Sequence, residues 1–237
     1  LLTATAAEPL IIRNSGLGYT LTFLLEDFVF NSVSNKVTYK GQVVFKVLEG
    51  KNEKQSRVWA SNRLKAYSGS QLHFMRALYK RKLMDEGFFF NVFEEVNADT
   101  AFTSVAFANS DLKVKSPLFR EKIRIRSSTN YNRILDSTKS TTTRPVLAFP
   151  GKLEITYINE AESYNYLRAN YPNKVGTTRP QKSRLMLLKR DLPIQPNGML
   201  LQEEYIQAQG YWGWELVAES LPVDYNPDVD QKYLNGK

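Results

Sequence analysis

The chain has 237 residues, 42% of them hydrophobic, enough for one large domain or two small ones with a real core. It contains no cysteine, which excludes disulfides, thiolate nucleophiles, cysteine-ligated zinc and iron–sulfur clusters. Thirty-two basic against twenty-four acidic side chains leave a net charge of +8, and this charge is segregated along the chain. Residues 51–82 carry nine basic and one acidic side chain, 83–108 five acidic and none basic, 109–190 seventeen basic and six acidic, and 191–237 two basic and eight acidic. Such blocks either neutralise one another in the fold or build a basic face for an anionic partner.

In chain order, the first fifty residues read as a β-meander. Tyr19, Leu21, Phe23 and Leu25 alternate with Thr20, Thr22 and Leu24, the period of a strand with one buried face. Val37 and Tyr39, then Val43, Phe45 and Val47, continue the pattern beyond a turn at Asn31-Ser32-Val33-Ser34-Asn35. The longest apolar approach, Leu21 to Phe30, is broken by Thr22, Glu26 and Asp27. No run of about 18 apolar residues exists for a membrane-spanning helix.

The period then changes. Leu64, Tyr67, Gln71, Phe74, Met75 and Leu78 recur at helical spacing, and we expect Leu64, Tyr67, Phe74 and Leu78 to be buried against the N-terminal sheet. Ser68-Gly69-Ser70 interrupts it, so either two short helices meet there or Gly69 permits a close approach to the sheet. Gly87 is the expected stop, followed by a buried strand from Phe88 to Phe93. Nine of residues 127–143 are Ser or Thr, the signature of a loop or boundary. Leu147, Leu153, Ile155, Tyr157 and the run Leu185-Met186-Leu187-Leu188 read as strands, and Asn197-Gly198 as a hairpin turn. Residues 214–221 read as a short helix before Pro222. The fold class is α+β, mainly antiparallel sheet, with a helical pair at about 53–86 packed on it. The expected organisation is 1–126 as meander, helical segment and return strand; 127–145 as loop or boundary; 146–225 as a β-rich part; and 226–237 as an acidic tail. All can belong to one domain.

Few constellations for chemistry are visible. His73 is the only histidine, and within an amphipathic segment it reads as a hydrogen-bonded helix residue rather than a base. Ser68-Gly69-Ser70 lacks the spacing and preceding strand of a nucleophile elbow. Gly16-Leu17-Gly18 leads into a strand and is no phosphate loop. Residues 224–230, rich in Asp, lack the central Gly and terminal Glu of a calcium loop and read as tail. The doublets Glu94-Glu95 and Glu203-Glu204 point to opposite faces of a strand, so neither is itself an acid/base pair. No cofactor or metal is expected.

The stretch at 62–79, from Asn62-Arg63-Leu64 through Tyr67-Ser68-Gly69-Ser70 to His73-Phe74-Met75, with Gly87-Phe88, resembles the signature segment of a family of Bacteroidota cell-envelope proteins. Glu8-Pro9-Leu10-Ile11-Ile12, with Leu17-Gly18-Tyr19 and Leu25-Glu26-Asp27-Phe28, resembles the family's opening. Gly210-Tyr211-Trp212-Gly213-Trp214-Glu215, with Leu221-Pro222-Val223-Asp224-Tyr225, resembles its close. Members resemble one another in having a secretion signal and a carboxypeptidase-regulatory-like β-domain upstream of such a region. The resemblance implies an exported protein of the periplasm or outer-membrane periphery, with the upstream domain preceding Leu1. It implies no peptidase activity, since fold analogy is not a site.

The leading expectation is a non-catalytic interaction or structural module of the Bacteroidota envelope, whose partner is an envelope protein assembly or an anionic outer-membrane surface. Lys80, Arg81, Lys82, Arg124 and Arg126 are the candidate partner contacts; alternation puts Arg124 and Arg126 on one side of a strand. Trp212, Trp214, Phe74 and Tyr67 are candidate structural anchors, an exposed stacking platform being the other reading of the Trp pair. Two alternatives stand beside this reading. Carboxylates distant in sequence can make a hydrolase acting on envelope glycans, and the basic 109–190 block with its interleaved tyrosines is compatible with nucleic acid. No recognised nucleic-acid motif accompanies that block.

Overall fold

The chain is α+β and falls into two units, Leu1–Ser70 with Glu215–Lys237 and Gln71–Trp214, each built on antiparallel sheet. The computed structural model describes residues 1–33, 36–95, 122–126, 130–201 and 205–236. The division falls beside Gly69, whose φ of 76° is open to glycine at little cost. It does not fall in the Ser/Thr-rich stretch. The described part of that stretch is folded into the second unit, where Asp136 Oδ1 accepts from the N–H groups of Thr138 and Lys139 and Ser140 Oγ accepts from Val146 N–H.

In the first unit, β1 (Leu2–Ala4), β2 (Leu10–Asn14), β3 (Tyr19–Asn31) and β4 (Lys36–Val47) form one sheet around the long β3. β2 pairs with the first half of β3 and β1 with its end, while β4 follows β3 throughout, with a bulge between Leu25 and Asp27. Leu17, Tyr19, Leu21 and Ala66 make the core, with Ile12, Phe45, Val217 and Leu221 against it. α1 (Glu53–Tyr67) is N-capped by Asn52, whose side chain accepts from Gln55 N–H at 2.9 Å. Its Trp59 lies over Gly18, where an added Cβ would stand 2.5 Å from the indole, and donates Nε1–H to Ser15 O at 2.7 Å.

Residues 226–237, expected as a tail, are instead part of this unit's packing. Asn226 caps a helix, Pro227–Leu234, and Asp230 on its inner side is buried. Arg63 from α1 meets Asp230 with two hydrogen bonds, Nε to Oδ2 at 2.7 Å and Nη2 to Oδ1 at 2.6 Å. Tyr225 donates its hydroxyl to the same carboxylate at 3.0 Å, and burial pushes that phenol's pKa up.

The second unit opens with α2 (Gln71–Tyr79). The apolar stripe expected to be continuous is therefore divided: Leu64 and Tyr67 are half-buried in the first unit, whereas Phe74, Met75 and Leu78 enter the core of the second. Phe74 and Leu78 thus pack with the C-terminal sheet rather than the N-terminal one, because Gly69 ends one helical seam and a new one begins. That sheet consists of β5 (Phe88–Glu95), β6 (Lys122–Arg126), β8 (Lys152–Ala161), β9 (Pro180–Leu187) and β11 (Ile206–Gly210), in the order β11-β9-β8-β5-β6. A two-stranded sheet of β7 (Val146–Leu147) and β10 (Leu192–Pro193) stands beside it. Phe88, Phe90 and Val92 alternate into the core, as the apolar run predicts. The expected turn at Asn197-Gly198 forms, closed by Gly198 N–H to Gln195 O and held on α2 by Arg76 Nε–H to Asn197 O.

α2 does not run to Gly87. It ends at Tyr79 in two backbone bonds, Arg81 N–H to Leu78 O and Lys82 N–H to Ala77 O. This is the paired reverse-turn closure whose left-handed residue is usually glycine. Here that residue is Arg81, with φ of 58°, a conformation costing an L-residue roughly 1–2 kcal/mol.

Candidate functional site

Lys80, Arg81 and Lys82 stand exposed at the end of α2, and two tyrosines bond that end to segments that carry further exposed cations. The Tyr131 ring lies 5.2 Å from the Arg81 guanidinium carbon and its hydroxyl accepts from Leu83 N–H at 3.2 Å, and the exposed Arg133 follows in the same turn. Tyr79 donates its hydroxyl to Thr143 O at 3.0 Å, next to Arg144 in the chain. Lys80, Arg81, Lys82, Arg133 and Arg144 make no ion pair among the described residues, whereas Lys139 is engaged by Asp191 at 2.6 Å. Arg124 and Arg126 lie in β6 opposite Phe93 and Asn91. Their side chains lie outside the described residues, as do Glu203, Glu204 and the side chains of Glu94 and Glu95. Arg133 and Arg144 were counted in the basic 109–190 block, but only the tyrosine contacts select them.

His73 is buried, with Nε2 3.3 Å from Glu86 Oε2 and its ring edge-on to Phe88 and Tyr157. Its partner comes thirteen residues later, beyond the helix, where helical spacing does not point. Burial lowers the imidazole pKa below its ordinary 6.5, against the opposing pull of Glu86. The folded chain therefore takes up the proton less readily than the unfolded one, so stability falls as pH drops through 6.5 and levels off below the folded-state pKa. His73→Gln should flatten that fall, measured as the urea midpoint between about pH 7 and pH 5. Identical slopes in variant and wild type would contradict the assignment.

The aromatic anchors separate. Trp212 is 8% exposed, packs on Phe74 at 5.5 Å and donates its backbone N–H to Ser183 Oγ at 3.1 Å. Trp214 is 41% exposed and, among the described residues of the second unit, its ring meets the edge of Tyr166. Within the first unit, Tyr67 is half-buried against Tyr225 at 5.7 Å. Tyr166, from the helix α3 (Tyr164–Asn170), also packs on Tyr171 and Tyr211, and burial pushes its phenol pKa up. Arg179 lies 4.8 Å from the Tyr171 ring centre, with Nε 3.6 Å from Glu162 Oε2. Burial raises the Glu162 carboxyl above its ordinary range, and Arg179 draws it back. Glu162 N–H donates to Arg179 O at 2.8 Å, so this acid closes the α3 excursion between β8 and β9.

Glu154, also buried, is bonded across strands to Arg184 at 3.2 Å. Among the described residues no three His, Asp or Glu gather closely enough to hold a metal ion. No protein-family model, curated protein or solved structure matches the chain. The segments that carry the family resemblance fall at α1 and α2, at β2 and β3, and at the helical turn Tyr211–Glu215.

Proposed function

We propose that this chain is a non-catalytic interaction module of the Bacteroidota cell envelope, acting in a periplasmic or outer-membrane-associated protein assembly. The sequence motifs support the address. The observation that carries the interaction reading is the outward face of the first unit's sheet. Ile11, Thr22 and Val44 lie directly opposite one another across β2, β3 and β4, on the face away from Leu21. Ile11 and Val44 are each 68% exposed, and Leu24 on the same face is also exposed. A half-solvated antiparallel sheet alternates apolar inward and polar outward, so apolar side chains in register on the outer face are out of place in water. Covering the two would gain about 1–2 kcal/mol each. β4 has β3 as its one strand partner among the described residues, which leaves this face beside a sheet edge.

The test is affinity purification of the full-length protein from its native envelope, comparing wild type with Ile11→Lys/Val44→Lys. The reading predicts a partner retained by wild type and lost from the variant, with the melting curve unchanged because both side chains are already exposed. Retention of the same partner by the folded variant would contradict it.

A further inference from the structure

We propose that Lys80, Arg81 and Lys82 at the end of α2, with Arg133 and Arg144 on the segments bonded to it, form a docking site for a phosphate-bearing lipid surface. The second unit holds twenty-one basic and fourteen acidic residues, the first eleven and ten, so the chain's excess charge lies almost wholly in the second. Lys80, Arg81, Lys82, Arg133 and Arg144 arrive from three separate segments, joined by Tyr79 and Tyr131. Asp85 and Glu86 follow in the chain, with Glu86 turned onto His73.

Arg81 supplies the second, independent observation. The left-handed position that closes α2 is one where glycine is unstrained, yet the chain carries arginine there. Strain kept at one exposed residue points to a use for its side chain. Stacking on Tyr131 holds the guanidinium beside its neighbours and in the open.

A lipid surface fits better than an acidic protein because an exposed apolar tip accompanies the charges. Met84, two residues beyond Lys82, is 43% exposed, an apolar tip beside the three contiguous cations. Lysine and arginine stems reach phosphates while the exposed methionine enters the interfacial layer. Four to eight clustered cations are what anionic headgroups recognise.

The test is co-sedimentation of the intact chain with phosphatidylcholine vesicles, with and without phosphatidylglycerol, at low and physiological salt. Binding is expected only with phosphatidylglycerol and should weaken with salt, as the screening length falls to about 8 Å. Lys80→Gln/Arg81→Gln/Lys82→Gln should weaken it about a hundredfold, roughly fivefold per cation. Arg81→Gly should weaken binding while leaving the melting temperature equal or higher, a combination that a purely structural arginine does not give. Equal binding to neutral vesicles, unchanged binding by the folded triple variant, or a lower melting temperature in Arg81→Gly with binding intact would each overturn the proposal. Capture by immobilised polyglutamate without vesicle binding would assign the cluster to an acidic protein instead.

Discussion

Asp230→Ala should destabilise the first unit by about 3–5 kcal/mol, because it strands the Arg63 guanidinium in a buried site. Arg63 would keep only its Nη1–H bond to Leu17 O, at 3.1 Å, and its place 5.7 Å from the Tyr19 ring centre. Tyr225 would lose the acceptor of its hydroxyl as well. That loss is large beside the roughly 5–15 kcal/mol that holds a typical domain. Hydrogen exchange in α1 and in the helix Pro227–Leu234 reads it directly. Asp228→Ala, on the exposed side of the same helix, should cost under about 1 kcal/mol, the scale of a charge near a helix N-terminus. Arg63→Met/Asp230→Leu should recover part of the loss, since a buried pair replaced by packed apolar groups is often neutral. Equal effects at Asp228 and Asp230 would mean that the pair does not fasten this helix.

Phe74→Ala should cost the second unit about 3–5 kcal/mol. Phe74 is fully buried, its ring 5.4 Å from Phe88 and 5.5 Å from Trp212, so truncation opens a cavity where α2, β5 and the Tyr211–Glu215 turn meet. Protection should fall in β5 and β8. A denaturation midpoint shifted by less than the equivalent of about 1 kcal/mol would remove Phe74 from the core.

Local pattern carried the sequence reading where the physics is local. Tyr19, Leu21 and Phe23 face inward from β3, and Phe88, Phe90 and Val92 from β5, because alternation follows from strand geometry alone. Asn197-Gly198 turns because glycine takes the φ of 86° found there. The failures are non-local. Residues 215–237 return to the first unit across the whole of the second, and nothing in their acidic composition separates buried Asp230 from exposed Asp228. Gly87 looked like the helix stop, but Arg81 closes α2 six residues earlier in a conformation that composition disfavours. The basic cluster was half visible. Lys80, Arg81 and Lys82 are contiguous, whereas Arg133 and Arg144 join through contacts of Tyr131 and Tyr79, some fifty to sixty-five residues apart in the chain. Trp212 and Trp214 read alike in sequence and part in the fold, because a helical turn points residues two apart in different directions.

Photo-crosslinking in intact cells reads out whether the outer face of the first sheet meets another protein. A photoreactive residue at position 44, 11 or 54 of the full-length protein compares the apolar row with Lys54 on the exposed side of α1. One discrete protein adduct shared by positions 44 and 11 and absent at 54 is the expected result. No adduct at 44 and 11, or the same adduct at all three positions, would contradict it.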